Sequence, residues 1–305
     1  MRAVLKSTAE AVLLHGGAAA LGRRRVRGGR LVLAYHNIVA DALPPGGDRS
    51  LHLAHGEFVA QLDVLECECE VVPLPALLGE APAGHGTRPR VAITFDDAYH
   101  GAAALGVAEL RRRGLPATIF VTPGMLGGRS FWWDALADAG GAGLGDDARA
   151  HVLDALAGDD AAARRWARET GRPVVEPGPE RRTATEAELL AALAHPGLAL
   201  GAHTWSHPNL ARLQGAALAH ELAAPLAWLR ERTDRAIPWL AYPYGLTSPA
   251  VAVAARAAGY AGGCLVSGGW LSAATPHDPF AIPRFNVPAG ISRAGFALRL
   301  AGLLA

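Results

Sequence analysis

The chain has 305 residues, half of them hydrophobic and 19% charged, with a formal charge of +1. That length is at or just above the size at which one core stops growing, so one α/β domain with an insertion fits, and so do two domains. The near-neutral balance argues against a nucleic-acid partner, which usually calls for a strong basic excess. The three cysteines, Cys67, Cys69 and Cys264, make neither a CxxC pair nor an even set, and read as reduced structural thiols in a cytosolic protein.

Residues 1–30 read as a short amphipathic helix followed by an arginine cluster. Lys6, Glu10 and His15 interrupt the apolar stretch, leaving no run long enough to span a bilayer. Most basic residues follow the apolar part, the reverse of a secretory signal. Arg23, Arg24, Arg25, Arg27 and Arg30 suit either a solvated leader or reversible contact with an anionic membrane face. The expected location is therefore the cytoplasm, at the inner membrane face.

Residues 31–35, "LVLAY", are the first predicted strand, and "GEFVAQLDVLEC" has helical periodicity. A loop over 80–90 leads to a strand at 91–95, "VAITF". "GAAALGVAELRRRG" is a helix that stops at Gly114, and "ATIFVTP" is a strand closed by Pro123. From about 130 to 184 the pattern turns helical, opening with "FWWDALADAGG" and closing with "GRPVVEPGPE", as an inserted cap would. Thr185 stands three residues before Glu188, the spacing of a capping box. "LALGAH" is a strand, and "QGAALAHELAAPLAWLRERT" a helix expected to kink or break near Pro225. "WLAYPYG" runs from strand into turn, "SPAVAVAARAAG" is helical, and "YAGGCLV" and "FAIPRFNV" supply the last strands. A C-terminal helix occupies 291–305. Strands alternating with helices imply a parallel sheet or barrel spanning residues 31–290.

Two features carry chemistry. The apolar run 91–95 ends in Asp96 and Asp97, and burying adjacent carboxylates is costly unless something compensates them. His203 and His207 follow the strand "LALGAH"; if the chain turns into a helix there, positions i and i+4 share a face. Both pairs sit where predicted strands end, the place where parallel α/β folds gather their chemistry. One carboxylate and two imidazoles make a metal-binding set with positions open for water. The other carboxylate is then free to act as a base.

"TFDD", "HTWSHP" and "YPYG", in that order, resemble the motifs of the polysaccharide deacetylases of carbohydrate esterase family 4, the NodB-homology domain. "LVLAYHNIV", "LPATIFVTP" and "IPRFNV" are similar to the same group. The resemblance implies a distorted (β/α)7-type barrel with a helical insertion and a divalent metal, commonly Zn2+. It implies Asp97, His203 and His207 as metal ligands, Asp96 as general base, and the Tyr244 backbone N–H as oxyanion donor. Many members carry an arginine at the start of the third motif, where this chain has Ala241; Arg284 is expected to replace it in space. No clean copy of the family's late L-x-H motif is present, so His36, after the first strand, is preferred over His277 as a further site residue. Tyr99, Trp132 and Trp205 are candidates to stack on sugar rings, with core packing as the alternative. The implied reaction removes acetyl from an N-acetylated amino sugar in a polysaccharide, glycan precursor or lipid-linked sugar. The alternatives are an O-acetyl esterase, a non-sugar amide hydrolase, and an inactive carbohydrate-binding protein.

Overall fold

Short apolar runs, each followed by a helix, bury both strand faces best when they pair in parallel beneath their own crossovers. The computed structural model describes residues 10, 13–14, 18–44, 46–78, 88–138, 140, 143–271 and 277–303. Its strands are β1 (Arg30–Tyr35), β2 (Asn37–Val39), β3 (His52–Ala54), β4 (Glu70–Val71), β5 (Arg90–Phe95), β6 (Ala117–Val121), β7 (Leu198–Ala202), β8 (Ala236–Ala241), β9 (Gly262–Cys264) and β10 (Phe285–Asn286). Seven of them form one curled parallel sheet in the order β10–β1–β5–β6–β7–β8–β9. β5 pairs with β1 along its whole length, from Arg90 beside Arg30 to Phe95 beside Tyr35. Its other edge is shared, by β4 at Arg90 and Val91 and by β6 at Thr94 and Phe95.

The segment 282–286 joins the two ends of the curl. The Ile282 N–H donates to Gly263 O at 3.0 Å, and Ile282 O accepts the Leu265 N–H at 2.8 Å. Three residues on, Phe285 and Asn286 pair with Leu33 and Ala34 of β1. The architecture is the (β/α)7-type barrel that the sequence implied.

Alternation along the strands sorts side chains into two layers. Leu31, Leu33, Tyr35, Val91, Ile93 and Phe95 pack beneath the helices. Val32, Ala92, Phe120, Ala241, Cys264 and Ile282 face the barrel interior, where the short helix Leu74–Leu78 packs against them. Thr94 and Asp96 continue the row of Ala92, so alternation aims them inward as well.

Helices His55–Glu68, Val107–Arg113, Gly215–Arg232, Pro249–Ala257 and Arg293–Leu300 surround the sheet. The helix after the paired acids opens with a π turn at Ala102–Gly106 and stops at Gly114, whose φ of 68° needs no Cβ. Just before it, a Cβ on Gly101 would stand 1.9 Å from the Ile38 carbonyl oxygen, so glycine lets this turn lie against β2. Gly215–Arg232 continues through Pro225 as one helix, so the chain does not break there. The capping box at Thr185 is present, with the Glu188 N–H donating to Oγ1 at 3.2 Å and the Thr185 N–H to Glu188 at 2.8 Å.

The insertion contains the helices Trp132–Ala135, Asp146–Asp154 and Asp160–Glu169. Its trailing edge is bonded to the segment after the acids: His100 N–H to Arg182 O, and Ala184 N–H to Ala98 O, both at 2.9 Å. Much of the N-terminal leader, residues 1–9, 11–12 and 15–17, lies outside the described residues. The helix Ala18–Arg25 is described, and Arg23 ion-pairs with Glu68 at 2.6 Å. Arg30, read above as part of the arginine cluster, is the first residue of β1. Among the described residues no helix is long and apolar enough to cross a membrane. Cys67, Cys69 and Cys264 are free, the last two buried.

Candidate active site

The site lies where β5, β6, β7 and β8 end. Asp96 and Asp97 are both 2% exposed, and the chain turns sharply after them, with φ of 70° at Asp97 and 50° at Ala98. Thr204 (64°), His207 (66°) and Tyr244 (59°) also have left-handed backbones. Each such residue costs about 1–2 kcal/mol in an L-chain. Of the six non-glycine residues with positive φ among the described residues, four fall in the three predicted motifs and a fifth, Ala98, directly follows the first of them.

Asp97 Oδ1 lies 3.4 Å from His203 Nε2 and 3.2 Å from His207 Nε2, and the two nitrogens are 3.1 Å apart. Donors bound to one tetrahedral ion at about 2.0–2.2 Å stand about 3.3–3.6 Å from one another, so this triangle has nearly the right edges. Asp97 Oδ1 is buried with no hydrogen-bond partner, although it faces both rings. Two imidazole nitrogens and a carboxylate oxygen converging on one point suit a divalent cation. Burial pushes the Asp97 carboxyl up, but His207 and His203 hold it well below the usual carboxylate range. Burial also keeps His207 below its ordinary value despite Asp97, so its ring is neutral, the state a ligand needs. His203 goes the other way: Asp96 and Asp97 outweigh burial and raise it.

The surroundings aim these ligands. His203 Nδ1 is 2.8 Å from Ala241 O, which fixes Nε2 toward the cluster. Ala241 thus contributes its carbonyl. The segment 203–209 is a turn and not a helix, so i, i+4 stacking is not what joins the two rings. The His207 N–H donates to Thr204 Oγ1 at 3.0 Å, closing the turn. The Glu221 carboxylate, on the helix Gly215–Arg232, accepts the N–H groups of Trp205 (2.8 Å) and Ser206 (2.9 Å) and the Ser206 hydroxyl (2.6 Å).

Asp96 sits beside the cluster, its Oδ2 4.0 Å from His203 Nε2. Arg284, fully buried, grips it with two parallel bonds, Nη1 to Oδ1 at 2.7 Å and Nη2 to Oδ2 at 2.6 Å. The same guanidinium donates to Thr94 Oγ1 at 3.2 Å and to Leu265 O. Burial raises the Asp96 carboxyl, and Arg284 with His203 more than offsets it, leaving Asp96 below the ordinary range. His36 is half-buried and follows β1 beside Asp96, whose N–H donates to Tyr35 O at 2.9 Å. Burial lowers its pKa, opposed by Asp97 and Asp96. His277 lies elsewhere, 3.4 Å from the guanidinium of Arg30 at the start of β1.

Tyr244 occupies the turn Pro243–Gly245, its ring centroid 4.6 Å from that of His207. The turn is closed by the N–H groups of Gly245 and Leu246, and neither bond uses the Tyr244 N–H. The hydroxyl of Tyr244 accepts from Trp132 Nε1 at 3.0 Å. Two of the three expected sugar-stacking rings are corrected by the structure. Tyr99 is 0% exposed and Trp132 1%. The insertion folds over them, with Arg149 over the Trp132 ring. Trp205 remains half-buried.

Sequence reasoning missed a buried polar network behind the ligands. Asp134 (3% exposed) accepts from Tyr99 Oη at 2.6 Å and from the Asp48 N–H at 2.8 Å, and lies 2.9 Å from His52 Nε2. Trp133 Nε1 donates to Tyr99 Oη at 2.9 Å, and the ring of Trp133 stacks on Phe131, which in turn meets His207 edge-on. The available signal was a lone polar residue inside an apolar run: Asp134 in "FWWDAL" and His52 in "LHL".

A family model described as polysaccharide deacetylase matches residues 83–263. No curated protein sequence matches the chain. Among solved structures, the deacetylase PplD of Streptococcus pyogenes, in complex with acetate, is similar over 90% of this chain and 99% of its own, at 16% identity and a TM-score of 0.60. IcaB from Ammonifex degensii is similar over 90% of this chain and 97% of its own, at 18% identity and 0.59. A polysaccharide deacetylase from Bacillus cereus is similar over 90% of this chain and 69% of its own, at 14% identity and 0.63. At these identities the likeness to solved structures is one of fold.

Proposed function

Since the chain belongs to the polysaccharide deacetylase family, we propose that it is a metal-dependent hydrolase removing the N-acetyl group from an amino sugar in a polysaccharide or glycan precursor. The observation that carries this reading is the convergence of Asp97, His203 and His207 within 4.8 Å, with the Arg284-held Asp96 beside them. Asp97, His203 and His207 would hold a divalent cation, Zn2+ being the best match to a nitrogen-rich tetrahedral set. Such a cation acidifies a water and polarises the acetyl oxygen.

The chain's own groups do the rest. Asp96 takes the proton from the attacking water. Arg284 holds both carboxylate oxygens, which fixes where that proton goes. The Tyr244 N–H meets the negative charge that develops on the acyl oxygen. The proton that Asp96 takes is passed on to the sugar nitrogen as the C–N bond breaks, so acetate and a free amine leave, while His36, lowered by burial and so neutral, lines the mouth beside Asp96. The half-buried Trp205 offers a face for a sugar ring. We place the reaction in the cytoplasm, on a glycan under construction, a reading supported by three free cysteines.

Acetate release across acetylated oligosaccharides and lipid-linked sugars, with elemental analysis of the same sample, tests this. Turnover of acetamido sugars that is lost on chelation and restored by Zn2+ is expected. Release from acetate esters alone would make the enzyme an esterase. A metal-loaded protein that turns over none of them would leave a carbohydrate-binding protein.

A further inference from the structure

We propose that the end of the barrel opposite the catalytic mouth is a docking surface for an anionic membrane. The helix Ala18–Arg25 is fastened there by one face only. Ala19, Gly22 and Val26 are buried, at i, i+3 and i+7. The fit is close: a Cβ on Gly22 would stand 2.2 Å from the Ala301 carbonyl oxygen. The other face, Leu21, Arg24 and Arg25, points to solvent, and Arg27 follows it, also exposed. Leu21 is 63% exposed, as open as any large hydrophobic residue among the described ones.

Two cavities adjoin this face. One, of about 250 Å³, is lined by Arg23, Arg24, Arg27 and Arg88. Glu68 engages Arg23, and the carbonyls of Glu66 and Cys69 engage Arg88, which leaves Arg24 and Arg27 for an anion. The second, of about 560 Å³, shares Arg23, Glu68 and Ala297 with the first and adds apolar walls from Leu14, Val64 and Ala294, with Cys67 and the charged Asp63 and Arg293 also lining it. A basic recess beside a partly apolar one, next to an exposed leucine, suits a lipid phosphate at the arginines with the leucine against the acyl region. A polynucleotide would use the arginines alone, and the whole chain carries a formal charge of only +1.

The topology sets the orientation of the attached enzyme. β1 begins at Arg30 and β5 at Arg90, on the docking side, whereas Asp96 and His203 follow the far ends of β5 and β7. A six-residue strand spans about 20 Å, so the mouth would face away from the bilayer. The acetyl groups within reach then belong to glycan extending from the surface, not to a sugar lying against it.

The test uses the full chain and vesicles of phosphatidylcholine with or without phosphatidylglycerol, read by co-flotation. Binding to the phosphatidylglycerol vesicles at low salt, reversed by high salt, is expected. Each basic residue near an anionic leaflet is worth about five-fold in partition, so Arg24→Gln/Arg25→Gln/Arg27→Gln should lose about 100-fold. Leu21→Ser, with no charge change, should lose roughly five-fold or more. The control Arg165→Gln/Arg168→Gln/Arg172→Gln, on the cap, should bind like the parent. Turnover of a soluble acetylated oligosaccharide, unchanged in the Arg24/Arg25/Arg27 variant, reports that the barrel is folded. Equal binding of that variant and the parent overturns the proposal, as does a parent that ignores anionic vesicles. Salt-sensitive binding to an oligonucleotide without vesicle binding reassigns the face to a nucleic acid. None of these vesicle readouts depends on the proposed reaction.

Discussion

Replacing Arg284 with methionine leaves the Asp96 carboxylate buried without its bidentate partner. Breaking such a pair from one side costs about 3–5 kcal/mol. The Leu265 carbonyl also loses its donor, which adds about 1 kcal/mol, for a total of about 4–6 kcal/mol. Against a typical net stability of about 5–15 kcal/mol, a loss of that size should move the urea midpoint of Arg284→Met far below that of the parent. Removing the stranded charge reverses most of this: Asp96→Asn/Arg284→Met should regain at least about 2 kcal/mol over Arg284→Met, because contacting residues couple by up to about 3 kcal/mol. Urea unfolding followed by far-ultraviolet circular dichroism at pH 7, in the presence of a chelator, measures all four corners of the cycle. A coupling below about 0.5 kcal/mol would refute the reasoning, since the two residues would then act independently.

Alanine at Asp97, His203 or His207 should remove bound metal and turnover together, and full metal occupancy in His207→Ala would dismiss the ligand set. Asp96→Asn should retain the metal while turnover falls roughly 10²–10⁴-fold; a metal-free variant would mean that the two acids have exchanged roles. Asp134→Leu leaves Tyr99 Oη, His52 Nε2 and the Asp48 N–H without an acceptor, and thermal unfolding should register a loss of roughly 3 kcal/mol or more. Glu109 is held down to about 2 by its bonds to Arg112 and, against burial, to Arg113. Its folded value lies below its unfolded one, so its stabilisation is present above about pH 4.5 and disappears as the pH falls toward 2. The exposed Arg112 arm is screened by water, so Glu109→Gln should be less stable by about 1 kcal/mol at pH 7 and no less stable at pH 2.

The parts of this protein legible in the sequence are those set by near neighbours in the chain. Apolar runs ending in Asp96, in His203 and before Tyr244 identify strand ends, and period-2 alternation along β5 fixes which acid faces inward. The capping box at Thr185 and the stop at Gly114 are equally local, since each is decided within one helical turn. Local reasoning misled where a motif closes on itself in an unexpected way. His203 and His207 meet because left-handed residues and the Glu221 carboxylate shape a turn, and helical spacing has no part in it.

Only the tertiary structure decides what distant segments do to one another. Arg284 is 188 positions from Asp96, and they meet because 282–286 joins β9 to β1 and carries the guanidinium into the barrel. Tyr99 and Trp132 are aromatic residues near a site in sequence, yet the insertion buries them. Asp134 and His52 look like isolated polar residues until the cap is folded onto β3. A sequence specifies directly what period and local bonding can enforce; which buried charge meets which partner is settled by the closing of the barrel, because only there does desolvation make the pairing compulsory.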